Sequence, residues 1–137
     1  MAVVRELRPK VDSEKITINL GFIDLGHVDL LVRDGFYSNR TDFIRTAIRN
    51  QLERHRETAE KSVVRKRLDL GISRFSRAQL EAVRSAGETL EIRVLGLATI
   101  DADVPPELAQ DTIASLTVLG AFHASAAVKA ALADRTQ

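Results

Sequence analysis

The chain has no cysteine, no tryptophan, only three prolines and few aromatic residues, 4% in all. Without cysteine there is neither a disulfide framework nor a thiolate metal site. With so few rings, the core has to be aliphatic. No apolar run approaches the ~18 residues that a bilayer-crossing helix needs. The first residues, Met1-Ala2-Val3-Val4-Arg5, lack the apolar centre of a secretion signal. These absences lead to the expectation of a soluble, cytoplasmic protein that makes no membrane contact.

What is present is a chain of 137 residues, 45% of them hydrophobic. That is enough for one ordinary domain or two small ones, and too apolar for wholesale disorder. The net charge is +1 but unevenly spread. Residues 1–67 hold 14 basic against 10 acidic side chains, a balance of +4, and residues 68–137 hold 6 against 9, a balance of −3. The front half suits an anionic partner and the back half does not.

Lys15-Ile16-Thr17-Ile18-Asn19-Leu20 alternates polar and apolar with period two, the pattern of a half-buried β-strand. Ile16, Ile18 and Leu20 fall on one face, and Lys15, Thr17 and Asn19 on the other. No second strand follows nearby. A second copy of the chain is the economical partner, giving an antiparallel ribbon across a two-fold axis. Such a ribbon has the dimensions of the B-DNA major groove.

Two helices are expected next. Asp24 is the expected N-cap of the first, with Leu25, Val28, Leu31 and Val32 at helical spacing and Gly35 as its left-handed stop. The second opens at Asn39-Arg40-Thr41-Asp42, with Asn39 as cap and Asp42 reaching back from three residues on. Phe43, Ile44, Ala47, Ile48 and Leu52 form its apolar stripe, which is more than one small helix pair can bury alone.

The strand at 15–20, the Gly35 break and the run from Tyr37 to Arg49 resemble the ribbon-helix-helix DNA-binding proteins, the group of Arc, MetJ and CopG. The most specific part is the polar cap, the acidic residue and Phe43-Ile44-Arg45 that open the second helix. The resemblance implies a homodimer, or a higher homo-oligomer, bound to double-stranded DNA. It implies that Lys15, Thr17 and Asn19 read base edges, and that the backbone near Asn39, Arg40 and Thr41 holds a phosphate. Those roles suit the chemistry: lysine donates to guanine, asparagine pairs with adenine, and a helix N-terminus favours an anion. Ile16, Ile18, Leu20, Phe43, Ile44, Ala47 and Ile48 would form the dimer core.

Residues 53–67 are densely charged and read as a helical spacer. In the back half, Glu91-Ile92-Arg93-Val94-Leu95-Gly96 realigns with Ser115-Leu116-Thr117-Val118-Leu119-Gly120 at an offset of 24, and a fainter copy begins at Leu70-Gly71-Ile72. Each unit reads as strand, glycine turn, short strand and short helix, a period typical of stacked supersecondary units.

No catalytic constellation is present. His27, His55 and His123 fall in unrelated contexts, and Asp101 and Asp103 sit beside Pro105-Pro106 in an expected turn. No phosphate-binding glycine loop and no nucleophile elbow occurs. The expectation is a protein that is not an enzyme and that uses no cofactor and no metal.

The expected fold class is α+β. A flexible arm at 1–12 precedes a ribbon-helix-helix at 13–56 that forms an intertwined dimer. A charged spacer at 57–67 leads to a small β-rich region at 68–137, which serves oligomerisation or contact with an effector or protein partner. The expected function is a bacterial transcriptional regulator, a repressor. The alternatives are an antitoxin that represses its own operon and a self-assembling scaffold associated with DNA.

Overall fold

A computed structural model describes residues 13–137; the arm expected at 1–12 lies outside them. The chain divides into two compact units between His55 and Arg56. Among the described residues no helix is long and apolar enough to cross a membrane.

In the first unit, residues 14–20 run outside any helix or strand and are exposed along their whole length. The strand expected at 15–20 is not formed within a single chain, because no other described segment of the unit supplies its ladder of hydrogen bonds. Helix α1, Phe22–Arg33, starts from Gly21 in an extended conformation with no side-chain cap. The expected cap, Asp24, instead lies inside the first turn, where its carboxylate faces the positive end of the helix. The helix stops as expected. Gly35 has φ +87°, its amide donates to the Val32 carbonyl, and the Phe36 amide donates to Leu31. This pair of bonds satisfies two of the last carbonyls of α1. Helix α2 spans Arg40–Arg54.

The first unit has almost no interior of its own. Val28 is its one buried hydrophobic residue among those described, and α2 has none. Phe22, Ile23, Leu30, Phe36, Ile48 and Leu52 are exposed, together with Ile16, Ile18 and Leu20.

The second unit begins with helix α3, Arg56–Lys66, over the segment expected as a charged spacer at 57–67. It closes with Arg67 at φ +53°, whose amide donates to Val64 while that of Leu68 donates to Val63. Three strands follow, β1 Asp69–Phe75, β2 Leu90–Ile100 and β3 Ile113–His123, with helices α4 Arg77–Ser85, α5 Pro106–Thr112 and α6 Ala126–Ala131 between and after them. The strands pair in parallel in the order β1-β2-β3. The back half is therefore a parallel βα assembly.

Glu91 pairs with Ser115, Val94 with Val118 and Gly96 with Gly120, the residues that align at an offset of 24, while Gly71 pairs with Gly96. The glycines do not divide strand from strand as expected. They lie inside continuous strands, at φ 121°, 137° and 123°, and bend them. The reason is close approach of neighbouring backbones. A Cβ on Gly96 would stand 2.1 Å from the Gly71 carbonyl oxygen, and one on Gly120 would stand 2.1 Å from that of Gly96.

The core lies between the sheet and its helices. Ile92, Val94, Ala98 and Ile100 of β2 meet Leu80 of α4, Leu108 and Ala109 of α5, and Val128 of α6. It is almost wholly aliphatic, as the scarcity of rings requires. Thr112 is the buried polar residue, and its hydroxyl donates to the Leu108 carbonyl at 2.7 Å, so burying it strands no donor. Helix α4 carries a full capping box: Ser76 accepts from the Gln79 amide and Gln79 accepts from that of Ser76.

Candidate nucleic-acid interface

The interface expected from the sequence divides into residues 15–20 and the start of a helix, both in the first unit. Lys15, Thr17 and Asn19 are exposed. Ile16, Ile18 and Leu20 are the alternate residues, exposed by 73, 56 and 41%. Water is a poor neighbour for three such side chains. At ~25 cal/mol per Å2 of apolar surface, covering them yields several kcal/mol.

The start of α2 is built by local hydrogen bonds. The Asn39 Oδ1 accepts from the Asp42 amide at 2.8 Å. The Asp42 carboxylate reaches back, one residue beyond the usual capping-box target, to accept from the Ser38 amide at 2.9 Å. The ring of Tyr37 meets Phe43 edge to face, with centroids 5.0 Å apart, and so closes the loop onto the first turn. With the Asp42 amide taken by the cap, the amides of Arg40 and Thr41 remain for an incoming acceptor.

Arg40 is already engaged. Its guanidinium donates through Nε to Asp29 Oδ1 at 2.7 Å and through Nη2 to Oδ2 at 2.8 Å. These hydrogen bonds, with the charge of Arg40 behind them, hold the Asp29 carboxyl below its ordinary range and raise Arg40 further. The pair joins α1 to the first turn of α2. Asp29 is the residue that the sequence reading missed. It lies eleven positions from Arg40, a separation that no helical or strand period links.

Of the expected dimer-core residues, Phe43 and Ile44 are half-buried, and Ala47 and Ile48 are exposed. Arg45 and Arg49 are exposed along α2. The basic triplet Arg65-Lys66-Arg67 lies in the second unit. There the Lys66 carbonyl accepts from Arg93 at 3.3 Å, and Asp69 and Glu91 line the same cleft as Arg65, Arg67 and Arg93. Two acids thus lie among its three arginines.

The model of the Ribbon-Helix-Helix transcriptional regulator family matches residues 11–129. The match runs from before residues 15–20 through both units to the middle of α6. No curated protein and no solved structure matches the chain.

Proposed function

The chain belongs to the ribbon-helix-helix transcriptional regulator family, and we propose that it is a sequence-specific DNA-binding repressor that acts as an intertwined homodimer. In this reading, residues 15–20 of two copies pair as an antiparallel ribbon. Ile16, Ile18 and Leu20 turn inward onto Phe43, Ile44, Ala47 and Ile48 of both chains. Lys15, Thr17 and Asn19 turn outward into the major groove and read base edges. The amides at the start of α2, framed by Asn39, Arg40 and Thr41, hold a backbone phosphate and fix the register without reading sequence.

The observation that carries this is the state of the first unit. It leaves a period-two segment outside any helix or strand, in a unit where, among the described residues, Val28 is the one buried hydrophobic side chain and Ile23, Leu30, Ile48 and Leu52 stay exposed. A unit of this size has little surface to bury on folding alone and gains from an added partner. A second copy brings the same face and the missing strand together, and a two-fold axis through the ribbon makes the contact self-complementary.

The test is binding of Asn19→Ala and Thr17→Ala proteins to a selected operator and to random DNA. Either substitution should lower affinity for the operator while leaving random-sequence binding nearly unchanged. Equal loss on both DNAs would overturn the assignment of these residues as base readers.

A further inference from the structure

The sheet of the second unit has β1 at one edge and β3 at the other, and within the unit the β3 edge is covered at Leu116. Gly71, Gly96 and Gly120 stand in one row across β1, β2 and β3, all with left-handed φ. Gly96 and Gly120 each seat the carbonyl of the preceding glycine where a side chain would otherwise stand. Gly71, first in the row, keeps the same conformation, although among the described residues nothing lies within 4 Å of where its Cβ would be. It is shaped to seat a carbonyl and faces an open edge. By the same repeat of geometry, Gly120 presents its carbonyl at the opposite edge.

The side chains agree with the backbone. Leu70 and Ile72 on β1 are exposed by 75 and 71%, and Leu119 on β3 by 49%. Leu70, Leu95 and Leu119 form a row across the sheet, which a further strand in the same register would continue. The β3 edge is occupied at Leu116, where the Gln137 amide donates to its carbonyl at 2.8 Å and Thr136 pairs beside it. A strand with Gly71 opposite Gly120 would begin beyond that point, at Val118. Exposed edges are ordinarily blunted by charged side chains, proline or a covering segment; β1, Asp-Leu-Gly-Ile-Ser-Arg-Phe, has charges only at Asp69 and Arg74, toward its ends, and no proline.

We propose that a second copy of the chain docks its β1 in parallel along β3, with Gly71 seated over the Gly120 carbonyl, so that the sheet continues from one chain to the next. The contact is head to tail. Each added copy leaves one edge of each kind free, and growth ends only where the rotation closes a ring. The assembly follows from the second unit alone; it relies on the proposed function only in that the first unit would supply the separate two-fold pair.

The test is sedimentation velocity of the full chain over a concentration series, with Leu70→Lys, Leu119→Lys and an equal mixture of the two. The wild type should exceed two chains, with mass rising with concentration. Each variant should need at least tenfold more protein to do so. The mixture should sediment at a greater mass than either variant alone, because the β3 edge of the first variant can take the β1 edge of the second; the sheet makes only that one contact per unlike pair, and the gain also shows both to be folded. A wild type fixed at one or two chains would overturn the inference, as would variants that assemble undiminished. A mixture no heavier than the separate variants would do the same, since a face-to-face two-fold contact cannot be restored by mixing and a head-to-tail one can. Operator binding measured on the same samples reports on the DNA reading separately, because loss of DNA binding with assembly intact would contradict only that reading.

Discussion

The guanidinium of Arg40 grips both carboxylate oxygens of Asp29, at 2.7 and 2.8 Å, across the corner between α1 and α2. The positive charge at the start of α2 is therefore balanced before any phosphate arrives. The two partners should then act in opposite directions on DNA. Asp29→Asn should tighten binding to operator and random sequence alike. Arg40→Ala should weaken both and leave an unpaired carboxylate near the phosphate site. If Arg40 contributes one phosphate contact, its loss should flatten the slope of log affinity against log salt by about one unit. Salt titrations of both variants would check this, and effects of the same sign would contradict the role of the pair.

Asn39 should matter to folding as well as to DNA. Its side chain satisfies the Asp42 amide, and removal of such a cap typically costs ~1 kcal/mol. Asn39→Ala should lower the midpoint of denaturation of the first unit accordingly, while Asn39→Ser, which can still cap, should recover most of it. Equal destabilisation by both would mean that the hydrogen bond is not what counts.

The glycine row predicts a graded series. Gly71→Ala meets no neighbour but is forced into a left-handed φ, which costs of order 1–3 kcal/mol. Gly96→Ala and Gly120→Ala carry the same strain and also press a methyl group into a carbonyl oxygen, so each should cost more. Chemical denaturation of the three variants would order them.

Acid should loosen the second unit by a nameable route. Arg74 holds both oxygens of Asp101 at 2.7 Å, and these hydrogen bonds lower the Asp101 pKa from its usual 3.8. A depressed carboxyl contributes stability that is fully present above the unfolded pKa and is lost as pH falls through the folded one. The melting temperature should therefore fall as pH drops through and below 3.8. Asp101→Asn should start lower at neutral pH and show a shallower acid slope. An unchanged slope would show that the pair does not titrate with folding.

Much of the first unit was legible in the sequence because its signals are local. Gly35 ends α1 through its left-handed φ, and Asn39 caps α2, both features that a few neighbouring residues determine. The start of α1 was misplaced because Asp24 has the chemistry of a cap and Gly21 does not, yet the chain is already extended at Gly21. The strand expected at 15–20 is not formed in the single chain, where residues 14–20 lie outside any helix or strand. In the back half, residues matched at an offset of 24 lie side by side in β2 and β3. The bends at Gly71, Gly96 and Gly120 were read as turns because a glycine in a strand pattern marks either a turn or a close backbone approach, and only the neighbouring strand decides between them. Asp29 carried no signal toward Arg40, since their meeting depends on how two helices cross. Ser76 and Gln79 did carry one, a capping box at its usual spacing, hidden by reading the segment as a fainter copy of a repeat.

The most direct test of the central claim is fluorescence anisotropy of the purified chain on two DNAs of equal length, the fragment upstream of its own gene and a random sequence, each at several salt concentrations. Binding to the upstream fragment tighter by ~10³-fold or more is the result expected of a sequence-reading autoregulator. Weak binding, equal on both DNAs and steeply weakened by salt, would leave only attraction to the phosphate backbone and would contradict the proposal that Lys15, Thr17 and Asn19 read bases.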